Sequence, residues 1–110
     1  MPTADAVFPT SKPLPLIATL WNAVAVAAAG VSPTFDSQGM ADVAIFGNAS
    51  AATTLSVNVS NDGVTWYASS VSQALSAAGD FYLAFQTGAR YLQLASSAAA
   101  TITALASAKE

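Results

Sequence analysis

Residues 55–67 read Leu-Ser-Val-Asn-Val-Ser-Asn-Asp-Gly-Val-Thr-Trp-Tyr. Leu55, Val57 and Val59 alternate with Ser56, Asn58 and Ser60. That period of two gives a strand one dry face, and it would scatter apolar residues all round a helix. Asn61-Asp62-Gly63 follows, and beyond it Val64 and Trp66 alternate again. Asn, Asp and Gly tolerate the positive φ angles that tight reversals demand, so the run predicts two antiparallel strands joined at residues 61–63. Both a two-residue turn at Asp62-Gly63 and a longer loop with Gly63 as its bulge residue are compatible with it.

The same periodicity recurs along the chain. Residues 20–27 form a strand with Leu20, Asn22, Val24 and Val26 on one face and Trp21, Ala23 and Ala25 on the other. A short strand at 34–36 precedes the turn Ser37-Gln38-Gly39. Residues 42–46 place Val43 and Ile45 on one side, and Gly47-Asn48 closes that strand. Residues 69–79 read as a loose Ser/Ala segment, with helical propensity at 73–78 in a stretch too short to stand alone as a helix. Phe81, Leu83 and Phe85 alternate with Tyr82, Ala84 and Gln86. Residues 90–94 turn Leu92 and Leu94 inward, and 101–105 make the last strand. Seven or eight short strands with turn signals about every ten residues predict an all-β, antiparallel β-sandwich. Alanine is common on these strands despite its poor β propensity, which suggests faces lying close to something flat.

The N-terminal segment differs. Residues 1–15 carry Pro2, Pro9, Pro13 and Pro15, a spacing that forbids a regular helix or central strand and favours an extended arm. Phe8 and Leu14 are the arm's large apolar anchors for a neighbouring subunit; a frayed terminus is the plainer alternative. The sandwich domain then spans 16–110. The apolar run at 16–30 is too short to cross a bilayer, holds Asn22 and lacks a basic cluster before it, so it reads as core strand rather than as a signal segment cut near 27–30.

Composition narrows the function. Charged residues make up 8% of the chain, against about 25% in ordinary globular domains. A charge-poor surface of Ser, Thr, Asn, Gln and Ala fits a chain buried against copies of itself or a partner, since interface cores are depleted in charge. A small, merely neutral fold is the bland alternative. The bases are Lys12, Arg90 and Lys109, and the net charge is −3. Three scattered cations cannot neutralise a row of phosphates, so nucleic acid is not a partner, and an anionic membrane is disfavoured for the same reason.

Without His or Cys, the commonest general base, the thiolate nucleophile and the usual zinc ligands are missing together. Asp36, Asp42, Asp62 and Asp80 all flank turns, where carboxylates ordinarily cap local amides. No run has oxygen ligands at a calcium-binding spacing, and no Gly-rich phosphate cradle occurs. The chain reads as a non-enzyme without cofactor or metal. Arg90 is the one charge that looks placed: an ion pair with Asp62 or Asp80 is expected, with an interface role as the alternative. Trp21, Trp66, Tyr67, Tyr82 and Tyr91 read as core or core-edge residues. Tyr67, Tyr82 and Tyr91 nevertheless fall opposite their strands' aliphatic residues, which marks them as contact candidates.

Ser60-Asn61-Asp62-Gly63-Val64-Thr65-Trp66-Tyr67, with Ala89-Arg90-Tyr91-Leu92-Gln93-Leu94 further on, resembles the Ser-x-Asp-Gly-x-x-Trp and Ala-Arg-Tyr-x-Arg pattern of discoidin-type jelly rolls. In that family the two segments are neighbours in a β-sandwich, so the resemblance implies a jelly-roll-like arrangement. It covers the C-terminal half, and Gln93 stands where the family has Arg. The family's ligand loops have no counterpart here, so ligand binding is not implied. In style, and over most of its length, the chain is also similar to small structural proteins of tailed bacteriophages that decorate or cement capsids as β-sandwich oligomers. That likeness implies a capsid decoration protein of the virion exterior, made in the host cytoplasm, a homo-oligomer (a trimer) bound to the major capsid protein. Contact candidates are Phe8, Leu14, Tyr67, Tyr82 and Arg90. The alternatives are a carbohydrate-binding module, with exposed Trp or Tyr stacking on sugar rings, and a tail- or fibre-associated subunit.

Overall fold

The computed structural model describes residues 15–110, so Phe8, Leu14 and nearly all of the expected arm lie outside the described residues. Nine strands follow: β1 (Leu16–Val26), β2 (Gly30–Val31), β3 (Phe35–Asp36), β4 (Asp42–Ala49), β5 (Thr53–Ser60), β6 (Tyr67–Leu75), β7 (Gly79–Gln86), β8 (Tyr91–Ser96) and β9 (Ala100–Lys109). They form two antiparallel sheets. The first runs β1-β9-β4-β7; the second runs β2-β8-β5-β6, with β3 also on β8. Counting β2 and β3 as one interrupted strand, successive strands cross between sheets at almost every connection, and the order is that of a jelly roll. The expected sandwich is present. The segments that carried the jelly-roll resemblance are neighbours, with Ser60 opposite Tyr91.

Alternation puts the dry faces together. Leu55, Val57, Leu92, Leu94 and Ile102 are fully buried between the sheets, with Val43, Ile45, Phe81 and Leu83 beside them. Ala104, Ala106 and Ala108 of β9 also point inward and are fully buried. Small side chains on this central strand let the larger residues of the opposite sheet fill the shared core.

Four local expectations are corrected. β1 does not alternate simply: Leu20 and Trp21 are both buried, whereas Asn22 and Val24 are exposed. Register shifts against β9 between Thr19 and Trp21 and between Trp21 and Val24 insert extra residues, and each bulge reverses the inward parity. Ala23 takes φ 53° there, and its N–H donates to Thr103 Oγ1 at 3.1 Å.

Gly47-Asn48 does not end β4. The strand runs on to Ala49, with Gly47 between Phe81 and Ala104. A Cβ at Gly47 would overlap the Thr103 carbonyl oxygen, so glycine is needed for a close strand approach rather than for a turn.

The reversal after β5 takes the longer of the two expected forms, and the strand expected from Val64 starts later. Residues 61–66 are loop, Val64 is exposed, and β6 begins only at Tyr67, opposite Val59. The supposedly loose Ser/Ala segment is the edge strand β6, paired from Leu75 to Ala68 along β5. Hydrogen-bonded pairing to an existing strand outweighs weak local helix propensity.

Candidate functional site

Three places on the surface gather chemistry. The first is at the end of the sandwich where β3 meets β8. Phe35 lies opposite Leu92 and Asp36 opposite Tyr91, which brings Asp36 beside Arg90. Arg90 Nε donates to Asp36 Oδ1 at 2.9 Å and its terminal nitrogen donates to Oδ2 at 3.0 Å. Asp36, not Asp62 or Asp80, is therefore the partner of Arg90. The pairing was invisible locally because it depends on the two-residue strand β3. Hydrogen bonding to Arg90, then the N–H of Gln38, holds the Asp36 carboxyl below its ordinary value, while Asp36 pushes the guanidinium up. Ser37, fully buried, donates its hydroxyl to the Arg90 carbonyl at 2.9 Å. The guanidinium also lies 5.2 Å from the Tyr91 ring centroid. Both charged partners are substantially solvent-exposed, so the pair orients the β7–β8 corner more than it stabilises the fold.

The second place is the loop at 61–66. Asp62 Oδ1 accepts the N–H groups of Val64 at 2.8 Å and Thr65 at 2.9 Å, and the Ser60 hydroxyl at 3.0 Å. Ser60 Oγ in turn accepts the N–H of Gly63 at 2.8 Å. Bonds from Thr65, Val64 and Ser60 lower the Asp62 pKa. Gly63 has φ 77°, and a Cβ added there would lie 3.8 Å from the Tyr91 ring. The carboxylate is thus occupied in shaping the loop. Beside it a cleft is lined by Asn61, Asp62, Thr65, Tyr67 and Ala89, with Tyr67 exposed.

The third place is the outer face of the β1-β9-β4-β7 sheet. Register places Ile17, Ser107, Ala44 and Ala84 in one row across the four strands. The next row is Thr19, Leu105, Phe46 and Tyr82, with the Phe46 and Tyr82 rings 6.3 Å apart. On the other side lie Lys109, Asp42 and Gln86, where Gln86 donates to Asp42 at 2.8 Å. Small residues between taller rows make a trough of about 590 Å³ that crosses the strands, with Pro15 and Ile17 at its β1 end. Its apolar walls are open to solvent: Ile17 is 70% exposed, Tyr82 62% and Phe46 43%. The outer face of the second sheet is different. It carries Thr54, Ser56, Ser72 and the pair Asn58–Gln93, with small residues between them and Val31 at its edge.

The contact candidates are therefore dispersed. Tyr82 stands in the trough wall, Tyr67 in the cleft beside Asp62, and Arg90 in the ion pair with Asp36; no single patch holds all three. Tyr91 is half-buried against Gly63. Ile17, Phe46 and Leu105 were missed. Phe46 had a legible signal, an aromatic on the side opposite Val43 and Ile45, whereas Ile17 was hidden in a uniformly apolar run. Among the described residues no three His, Cys, Asp or Glu side chains converge as metal ligands, and no helix is long and apolar enough to cross a membrane.

Taken together these features define a small antiparallel jelly-roll sandwich with a partly apolar trough on one outer face and a mainly polar face on the other. No family profile and no curated protein matches the sequence. Among solved structures the fold is similar to that of the PBSX exported protein XepA, with a TM-score of 0.59 at 14% identity. The match covers 86% of this chain and 36% of that one, so it spans about a third of the XepA chain. The likeness is one of fold.

Proposed function

We propose that this chain is a structural subunit of a tailed-phage virion, a decoration protein that binds the capsid exterior and stabilises its lattice as a homotrimer, without catalytic activity. The observation that carries this reading is the asymmetry of the two outer faces. Ile17, Phe46 and Tyr82 stand exposed along an open trough on one sheet, with Asp42, Gln86 and Lys109 on its far side, while the other sheet presents mainly hydroxyls and amides. A contiguous apolar patch rimmed by polar groups is the mark of an interaction surface. The fold shared with an exported protein of phage PBSX points the same way. In an oligomer on a lattice, many modest contacts add through multivalency, so no single tight site is required. The major capsid protein is the partner this reading implies.

Light scattering over a dilution series tests it. A stable mass of three chains, followed by co-sedimentation with capsids, is expected. A monomer at every concentration would sink the reading. A carbohydrate-binding role is the second reading, favoured by one observation: exposed Tyr67 stands beside Asn61 and Thr65 at the sandwich end. It predicts a monomer whose glycan binding disappears in Tyr67→Ala and survives in Tyr82→Ala.

A further inference from the structure

The trough on the outer face of the first sheet has a shape that selects its occupant. Its floor is Ser107, Ala44 and Ala84, and it crosses four strands. Three strand-to-strand steps of about 4.8 Å make it roughly 14 Å long, and two residues of rise on either side make it about 13 Å between the flanking rows. Another flat sheet laid on this face would rest on Phe46 and Tyr82 and leave the floor empty. A single extended segment of four or five residues, at about 3.1–3.3 Å per residue, fills it end to end. The edges of the sandwich are poor alternatives for recruiting such a segment. β1 is bulged twice, β6 is shifted against β5 between Ser56 and Asn58, and the N–H of Tyr82 on edge strand β7 is already held by Gln73 Oε1 at 3.0 Å.

The chain itself supplies a segment of this kind. Residues 1–14 lie outside the described structure, which begins at Pro15 on the trough's own rim. Their sequence includes Val7-Phe8-Pro9-Thr10, one large aromatic in a stretch that proline keeps from forming helix or ladder. We infer that residues 7–10 of a second copy lie across this trough, with Phe8 over the Ala44–Ala84 floor and against Phe46 and Tyr82. The inference deepens the oligomeric reading given above and rests on it. A second copy is favoured over the same chain by stereochemistry. Lys12 and Leu14 each precede a proline, which disfavours the α conformation that a tight reversal uses. The sequence therefore leaves few residues between Pro15 and Phe8 for a return to the floor of the chain's own trough.

The absence of cysteine makes site-directed cross-linking clean. Full-length Thr10→Cys chains are mixed with Ala84→Cys or Ser107→Cys chains, oxidised mildly and run without reductant. Ser72→Cys, exposed on the opposite outer face, is the control. A disulfide-linked pair of different chains at either floor position, absent with the control, is expected. Phe8→Ala should also raise the concentration at which the oligomer dissociates by about tenfold or more. A link formed only inside a doubly substituted chain overturns the inference, because the segment then folds on its own face. Ala84→Cys chains linking chiefly to each other overturn it in favour of face-to-face pairing, and no link above the control overturns it outright. Light scattering on the same samples separates the two ideas. A trimer without the link removes the arm and keeps the oligomer, whereas a monomer removes the oligomer as well.

Discussion

Replacing Gly47 by alanine should destabilise the sandwich, although alanine in a strand interior ordinarily improves on glycine by about 0.5–1 kcal/mol. Gly47 sits mid-strand in β4, opposite Ala104 of β9 and Phe81 of β7. An added Cβ would overlap the carbonyl oxygen of Thr103 and come within 2.9 Å of the Ala104 Cα. These are backbone atoms, so no side-chain rotation relieves the contact. β9 cannot simply retreat, because β1 flanks it on its other side. Relief requires parting the β4–β9 ladder at one or two positions, at about 1 kcal/mol net per hydrogen bond, in addition to about 1–3 kcal/mol of overpacking. After the gain in chain entropy is subtracted, the loss is about 1–4 kcal/mol, a fall in Tm of roughly 5–30 °C for a domain of this size. Calorimetry or thermal circular dichroism reads it directly. Gly88→Ala is the matched control: nothing lies within 4 Å of its Cβ position, so it should be neutral or stabilising by about 0.4–1 kcal/mol. An unchanged or higher Tm for Gly47→Ala would refute the close approach and return Gly47 to the strand-terminating role that its sequence context suggested.

Two further outcomes are expected. Ile102→Ala removes a fully buried side chain from the centre of the core and should cost about 2–5 kcal/mol, measured as a lower denaturant midpoint at unchanged m-value. Asp62 has a folded-state pKa below its ordinary value, so its contribution is complete above the unfolded value near 3.9 and is lost as pH falls through the lower folded value. Asp62→Asn should therefore lower Tm at neutral pH and flatten the fall in stability below about pH 4; a parallel acid limb in variant and parent would refute the linkage.

Most of the core was legible locally, because a period of two states which residues share a face wherever a strand is regular. Val43, Ile45, Leu55, Val57, Leu92 and Leu94 all face inward as that pattern requires. The turn at Ser37-Gln38-Gly39 was equally legible: Gln38 and Gly39 both take positive φ. So was Tyr82 as an outward aromatic.

The same local pattern carries no information about which strands become neighbours. The partner of Arg90 is 54 residues away in sequence, and Asp36 reaches it only because β3 pairs with β8. The bulges of β1 arise from its register against β9, the glycine at 47 from the approach of those same strands, and the identity of β6 from its pairing with β5. The trough is a product of register alone: Ile17, Ser107, Ala44 and Ala84 come from four segments that no sequence window contains. By itself, then, the order of residues determined the regular strands, their dry faces and the class of fold. Tertiary pairing decided where parity breaks, which charges meet and which outward residues line one surface, because side-by-side register is set by contacts between segments distant in the chain.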